Sequence, residues 1–274
     1  MEIDELKKLV QSIRINIIEM LAAAGSGHPG GSLSMVDILT VLYFEKMNVR
    51  PDMPKWKDRD RFVLSKGHAA PGLYSVLAER GYFPKEELVN LRKIDAMLQG
   101  HPDMKRIPGI DMSTGSLGQG LSVANGMALA ARLDKKPYRV YAIAGDGELQ
   151  EGQIWEAAMS SAHYHLDNLT LIVDHNGLQI DGTNAEVMNV DPIGDKFKAF
   201  GWHVLEIDGH DFVQIRAAID LAQNLTCKPT VIIAKTVKGK GVSFMENQVG
   251  WHGSAPNQKQ KEEAIAELEG SVTQ

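Results

Sequence analysis

The sequence is poor in cysteine and has no long apolar run. A single cysteine among 274 residues excludes a disulfide framework and a cysteine-rich metal site. Residues 1–21 place charges between their apolar positions, whereas a signal peptide needs an uninterrupted apolar stretch. No segment approaches the roughly 18 apolar residues of a transmembrane helix. We therefore expect a cytoplasmic protein without a membrane partner.

The sequence also lacks an excess of positive charge. The chain has 29 Lys and Arg against 35 Asp and Glu, which gives a net charge of -6, and no basic run resembles a stripe that follows a phosphate backbone. We therefore expect no nucleic-acid partner. The hydrophobic content of 43% and charged content of 23% are those of an ordinary globular protein that can bury a full core.

Short apolar runs alternate with longer helical patterns. The runs, rich in β-branched residues, are predicted strands: Phe62–Leu64, Val140–Ala144, Leu169–Val173, Val204–Ile207 and Thr230–Ala234. Predicted helices between them include Gly118–Leu133, Gln150–Tyr164 and Phe212–Leu225. This alternation predicts an α/β fold with a doubly wound, mostly parallel sheet and helices on both faces. Since no linker or repeat divides the chain, we predict one domain over residues 1–274. A C-terminal extension begins near residue 239 and ends in a helix near Lys259–Leu268.

Acidic and amide side chains follow two of the predicted strands. Asp146 lies between two glycines after one strand, and Asn176 lies 30 residues later after the next strand. One strand–helix–strand unit is about that long, and ligands bind at the carboxyl ends of parallel strands. Carboxylate, amide and carbonyl oxygens are the ligands that Mg²⁺ prefers. The alternative is that Gly-Asp-Gly is only a tight turn and Asn176 only a helix cap.

This spacing resembles the signature of thiamine diphosphate enzymes, which include transketolases, pyruvate decarboxylases and 2-oxoacid dehydrogenases. The resemblance implies a thiamine diphosphate-binding fold. It also implies a metal site made by Asp146, Asn176 and the main-chain carbonyl of Leu178. The expected cofactors are thiamine diphosphate and Mg²⁺, with Ca²⁺ or Mn²⁺ as possible substitutes.

Four histidine loops and a glycine-rich segment narrow the resemblance to transketolase. In chain order they are Gly27–Gly30, Leu64–His68, Gly100–Pro102, Ser113–Gly120 and Trp251–Pro256. A single histidine in such a loop is usually a turn or surface residue, but four in the order found in transketolase form a specific pattern. The match runs from about residue 10 to residue 256.

The transketolase resemblance implies two groups of site residues. The cofactor would be contacted by His68, His252, Gly115, Leu117, Gly145 and Gly147, together with the metal ligands. His28, His101 and His252 would be catalytic residues around the ketose donor and aldose acceptor, where imidazoles can exchange protons with sugar hydroxyls. Glu151 and Glu156 resemble acidic residues that link the two active sites of a dimer, although the solvated face of a helix explains them nearly as well.

The expected activity is the transfer of a two-carbon ketol unit from a ketose phosphate to an aldose phosphate, as in the pentose phosphate pathway. Complete transketolases are more than twice this length, and we find no candidate here for the glutamate that activates the cofactor. We therefore predict the N-terminal subunit of a split transketolase in an α2β2 heterotetramer, rather than a fragment of a longer chain. Its partner would be a C-terminal subunit that carries the pyrimidine-binding domain, and it would be active only with that subunit.

Two alternatives to a transketolase subunit remain open. One is the corresponding subunit of another thiamine diphosphate enzyme, similar to deoxyxylulose phosphate synthase or a 2-oxoacid dehydrogenase. The other is a regulatory relative that kept the fold and lost catalysis.

Overall fold

A parallel sheet organises the structure, a computed structural model that describes residues 1–270. Its strands are β1 (Arg61–Leu64), β2 (Val140–Gly145), β3 (Leu169–His175), β4 (His203–Asp208) and β5 (Thr230–Lys235). Their order across the sheet is β1-β2-β3-β5-β4, and all neighbouring pairs are parallel. The predicted α/β fold with a mostly parallel sheet is confirmed, and each predicted strand lies within the observed one.

Helices connect the strands. The N-terminal region contains α1 (Ile3–Ala24), α2 (Pro29–Ser34), α3 (Val36–Val41) and α4 (Ala70–Arg80). The remaining helices are α5 (Gln119–Leu133), α6 (Gly152–His163), α7 (Asn184–Val187), α8 (Ile193–Ala199), α9 (Phe212–Asn224) and α10 (Gln258–Gly270). No helix within residues 1–270 has the length and apolar character needed to cross a membrane.

The sheet has an apolar core on each face because successive strand residues point to opposite sides. Along β2, Tyr141 and Ile143 pack with α1, α3, α4 and α9, whereas Val140, Ala142 and Ala144 pack with α5, α6 and α8. Both sets are fully buried. This two-sided burial explains why the strands are continuous apolar runs in the sequence.

The C-terminal segment returns to the start of the chain. Gln11 of α1 donates to the carbonyl of Leu268 at 2.7 Å, and Ser243 donates to Glu267 of α10. Ala264 and Leu268 of α10 are buried in the core that contains α1. The predicted domain boundaries, one domain with an extension from about residue 239, stay a prediction.

Candidate functional site

The loops after β2 and β3 meet at one edge of the sheet. Asp146 is almost fully buried, and its carboxylate accepts hydrogen bonds from Gly147 N at 2.9 Å and Gly177 N at 2.6 Å. Burial, together with the nearby charge of Asp174, raises the pKa of Asp146. An anionic Asp146 therefore favours a nearby cation.

Asn176 is oriented by the strand that precedes it. Its amide nitrogen donates to Asp174 Oδ2 at 3.2 Å, and its Oδ1 accepts from Leu178 N at 3.2 Å. These bonds distinguish the two ends of the amide and direct the oxygen away from Asp174. An amide oxygen has two lone pairs, so Asn176 Oδ1 retains one for a further donor or a cation.

A buried ion pair lies beneath these loops. Lys66, which follows β1, contacts Asp174 and donates to the carbonyl of Gly31 at 2.7 Å. Ser34 and Thr236 also donate to the Asp174 carboxylate. Lys66 and Asp174 are 2% and 0% exposed, so breaking this pair would leave an uncompensated charge in the interior.

Three histidines from distant loops form a cluster above the strand ends. The ring centroids of His28 and His68 are 5.2 Å apart, those of His28 and His252 5.5 Å, and those of His68 and His252 5.2 Å. Burial lowers the pKa of His28 and of His252 to about 4 and that of His68 to about 2, and nearby cations contribute. The three imidazoles are therefore neutral near pH 7, and each can donate one hydrogen bond and accept another.

Lys238 adds a buried cation to the cluster. Its ammonium group donates to the Leu178 carbonyl at 3.2 Å and lies 2.9 Å from His252 Nδ1. Within residues 1–270 it forms no ion pair with a carboxylate. Burial and the charge of Lys66 lower its pKa to about 8. The group is therefore largely charged near pH 7, and an anionic ligand could pair with it.

These groups line one cavity of about 380 Å³ at the carboxyl ends of the strands. Its lining includes His28, His68, Gly115, Leu117, Gly145, Asp146, Gly147, Asn176, Leu178, Lys238 and His252. Glu151 also lines the cavity, whereas the exposed Glu156 does not. The structure thus brings together nearly all of the predicted site residues.

His101 lies at the rim of the site. It is exposed and does not line the cavity itself, but its ring packs on Gly115, where an added Cβ would come within 3.0 Å of His101 Cδ2. Burial of part of the ring and the nearby Arg92 lower the pKa of His101. Gly115 has φ +148, so its conformation and this contact both favour glycine.

The residues present fit a metal and a diphosphate group. The oxygens of Asp146, Asn176 and Leu178 form a hard donor set with a single negative charge, which suits Mg²⁺ only when an anion completes the site. No cluster of three His, Cys, Asp or Glu side chains in residues 1–270 could hold a metal without such an anion. At Gly31 an added Cβ would lie 3.5 Å from both His68 Nε2 and Lys66 Nζ, so glycine leaves the approach to these donors open.

The family described as "Transketolase, thiamine diphosphate binding domain" matches residues 5–269. The chain belongs to this family. Over 97% of its length it is 47% identical to the 6-deoxy-6-sulfo-D-fructose transketolase subunit SqwG of Clostridium sp. (strain MSTE9), covering 96% of that protein. It is 44% identical to an apulose-4-phosphate transketolase subunit of Phocaeicola vulgatus over 98% of its length, covering 95% of that protein.

Single-chain transketolases match over less than half of their length. The chain is 43% identical to the transketolase of Pongo abelii, covering 43% of it. The crystal structure of the Campylobacter jejuni transketolase superposes with a TM-score of 0.92 at 35% identity, covering all of this chain and 43% of that one. The predicted N-terminal subunit of a two-subunit transketolase, and thus an enzyme, is confirmed by the similar subunits, and the two alternatives are not favoured. Thiamine diphosphate is supported as the cofactor by the family; the roles of individual site residues stay predictions.

Sequence reasoning missed both lysines of the site. Lys66 lies inside the Leu64–His68 motif, in which the resemblance to transketolase implies a role only for His68. Lys238 follows β5, and the rule that ligands bind at carboxyl ends of strands identifies it once it is applied to that strand. Arg92, which lowers the pKa of both His28 and His101, carries no motif that would have revealed it.

Proposed function

We propose that the chain is the diphosphate- and metal-binding subunit of a transketolase that transfers a two-carbon ketol unit between sugar phosphates. The observation that supports this most directly is the shared cavity, where Asp146, Asn176 and Leu178 lie beside three neutral histidines and the buried Lys238. A binding protein without catalysis would need the residues that hold the diphosphate, but it would not need neutral imidazoles beside them.

We assign the metal to Asp146, Asn176 and the Leu178 carbonyl, with Mg²⁺ as the resident ion. His68 and Lys238 would hold the diphosphate through an imidazole N–H and a positive charge. Gly145 and Gly147 line the cavity without a Cβ, so the diphosphate could lie close to their backbone. Gly115 and Leu117 would lie against the thiamine. The bound cofactor supplies the electron sink for breaking a carbon–carbon bond.

We assign proton transfer at the sugar hydroxyl groups to His28, His101 and His252. Neutral imidazoles can remove a hydroxyl proton and later return it, whereas carboxylates at these positions would repel an anionic sugar. His28 Nδ1 is buried and has no hydrogen-bond partner within residues 1–270. Arg92, which is exposed beside His28 and His101, would face the anionic end of the substrate.

The names of two relatives support the substrate class that we propose. Subunits similar to this chain are named for 6-deoxy-6-sulfo-D-fructose and apulose 4-phosphate, and both sugars carry an anionic group. We propose a ketose donor with an anionic group, in sugar-phosphate metabolism of the pentose phosphate type. We further propose a cytoplasmic α2β2 assembly in which a C-terminal subunit with a pyrimidine-binding domain completes each active site.

The test is reconstitution. The chain is purified alone and together with the companion subunit, and both preparations are assayed with xylulose 5-phosphate and ribose 5-phosphate, with the sulfosugar, and with apulose 4-phosphate. We expect turnover of at least one donor by the pair and none by the single chain. Turnover by the single chain, or decarboxylation of a 2-oxoacid by the pair instead of ketol transfer, would overturn the proposal.

A further inference from the structure

His210 lies outside the cavity but contacts the segment that carries Lys238. It follows β4 in the chain, and its side chain is 16% exposed. Both ring nitrogens are engaged. Nδ1 lies 2.8 Å from Asp37 Oδ2, and Nε2 accepts a hydrogen bond from the Val237 backbone N–H at 2.9 Å. The proposed function assigns diphosphate binding to Lys238, and this inference rests on that assignment. His210 contacts Val237, the residue before Lys238, so it can affect the position of Lys238 in the site.

The two bonds determine the tautomer of His210. A backbone N–H can only donate, so Nε2 must be an acceptor without a proton. The proton of the neutral ring is therefore on Nδ1, where it is donated to the Asp37 carboxylate. An imidazolium, or the opposite tautomer, would place two N–H groups against each other at Val237.

Asp37, which accepts a hydrogen bond from this ring, is itself fixed in the core. It belongs to α3, its side chain is 6% exposed, and its carboxylate also accepts from Arg14 Nη2 of α1 at 2.5 Å. Burial acts against its ionisation, but the charge of Arg14 and the bond to His210 keep its carboxyl group ionised. The ring orientation is therefore determined by two helices of the core.

The segment after β5 is fixed on both sides of Val237. Thr236 N donates to the His175 carbonyl at 3.1 Å, and Gly239 N donates to the Gly30 carbonyl at 3.0 Å. Between them, the bond to His210 satisfies the Val237 N–H. It thereby sets the backbone from which the Lys238 side chain extends to Leu178 and His252.

We infer that His210, oriented by Asp37, is a positioning residue that places the Lys238 ammonium group for diphosphate binding. Neither His210 nor Asp37 lines the cavity, so the effect is transmitted through the Val237 backbone. A displacement of about 1 Å in a binding group is enough to weaken a site strongly. A purely structural ion-pair network at the same place would affect stability but would act independently of Lys238.

The test is a double-mutant cycle on the assembled two-subunit enzyme. The dissociation constant of thiamine diphosphate with Mg²⁺ is measured by calorimetry for the wild type, His210→Ala, Lys238→Ala and the double variant. Since a charge-assisted hydrogen bond is lost or misaligned, we expect each single change to weaken binding about tenfold or more. If His210 acts through Lys238, then His210→Ala changes binding less than about twofold when Lys238 is already removed.

Two further variants control for folding. His210→Gln can still accept from Val237 and donate to Asp37, so it should restore most of the binding, and the exposed His163→Ala should leave it unchanged. An equal loss from His210→Ala in both backgrounds, or a lower unfolding temperature without any change in cofactor binding, would overturn the inference.

Nitrogen NMR of the wild-type protein tests the same inference without a destabilising variant. We expect the signals of a neutral His210 ring with its proton on Nδ1. The opposite tautomer or an imidazolium near pH 7 would overturn the inference. Failure of the wild-type enzyme to bind thiamine diphosphate would instead contradict the proposed function, while the ring tautomer would still show whether Asp37 and Val237 orient His210.

Discussion

Buried charged side chains have different kinds of partner at the two ends of the sheet. At the amino end, Asp60 accepts from Asn48 N at 2.7 Å and from Arg139 N at 2.8 Å, while Asp111 contacts Arg59 and accepts from Phe62 N at 2.9 Å. These carboxylates have donors and cations nearby. At the carboxyl end, Lys238 faces the cavity beside three histidines, and no carboxylate within residues 1–270 forms an ion pair with it. The buried carboxylates of the amino end are paired within the fold, whereas Lys238 at the carboxyl end has no carboxylate partner in the part of the chain that the structure describes, and the diphosphate that we propose could pair with it.

The largest effect should come from the metal site. Asp146→Ala removes the single anionic metal ligand that we assign, so metal-dependent binding of thiamine diphosphate should weaken by roughly 100-fold or more. Calorimetry with and without Mg²⁺ on the assembled enzyme measures this. Stability should change less, because burial and Asp174 disfavour the Asp146 carboxylate, as its raised pKa shows, and relief of this cost offsets the loss of its bonds to Gly147 N and Gly177 N. Unchanged Mg²⁺-dependent binding would contradict the metal assignment.

The matched change at the amino end is Asp111→Ala. It leaves the guanidinium group of Arg59 without its partner and Phe62 N without its acceptor, so it should lower the free energy of unfolding by about 3–5 kcal/mol. Denaturant unfolding measures this loss. Cofactor affinity of the folded fraction should remain that of the wild type. A loss of cofactor affinity in the folded Asp111→Ala variant would instead show that the amino end also contributes to cofactor binding.

Lys238→Met should separate binding from stability. Replacing a buried ammonium group with an apolar side chain removes a desolvation penalty, so the unfolding temperature without cofactor should not fall. Thiamine diphosphate should nevertheless bind about tenfold more weakly, since a charge-assisted contact is lost. Thermal unfolding with and without cofactor measures both quantities. A lower unfolding temperature of the free protein would indicate that Lys238 has a structural role.

The histidine cluster should make the stability of the protein depend on pH. The pKa values of His28, His68 and His252 are lowered in the folded chain, so their contribution is present above about pH 6.5, the value in the unfolded chain. It is lost as the pH falls toward about 4. His68→Gln should therefore flatten the decrease of the unfolding temperature between these pH values. His163→Gln is the control, and equal pH profiles for both variants would exclude the effect.

Local patterns predict the strands well because buried parallel strands are continuous apolar runs. The observed β3 extends two residues beyond the predicted Leu169–Val173, since Asp174 and His175 remain in the ladder with β5. Local patterns do not predict the order β3-β5-β4. It depends on which strands pair at long range, and no local pattern in β4 or β5 determines it.

Local sequence patterns likewise identify some residues of the candidate site and miss others. Asp146, Asn176 and the histidines stand in recognisable loops and could be selected from the sequence. The sequence does not identify Lys238 or His210, because their importance comes from burial and from contacts with residues far away in the chain. Lys66 was visible in a motif, yet only its partner Asp174, 108 positions later, explains why a lysine is buried there.

The pairing of β1 with β2 has a consequence for the order in which the molecule forms. The register joins Arg61 to Val140, whereas β4 joins β5 with His203 opposite Thr230. Closing the longer loop costs more conformational entropy, so contacts distant in sequence slow folding. We expect β4 and β5 to associate before β1 docks. Lys66 and His68 follow β1 directly, so the cavity is completed in a late step, and thiamine diphosphate can stabilise only the finished chain.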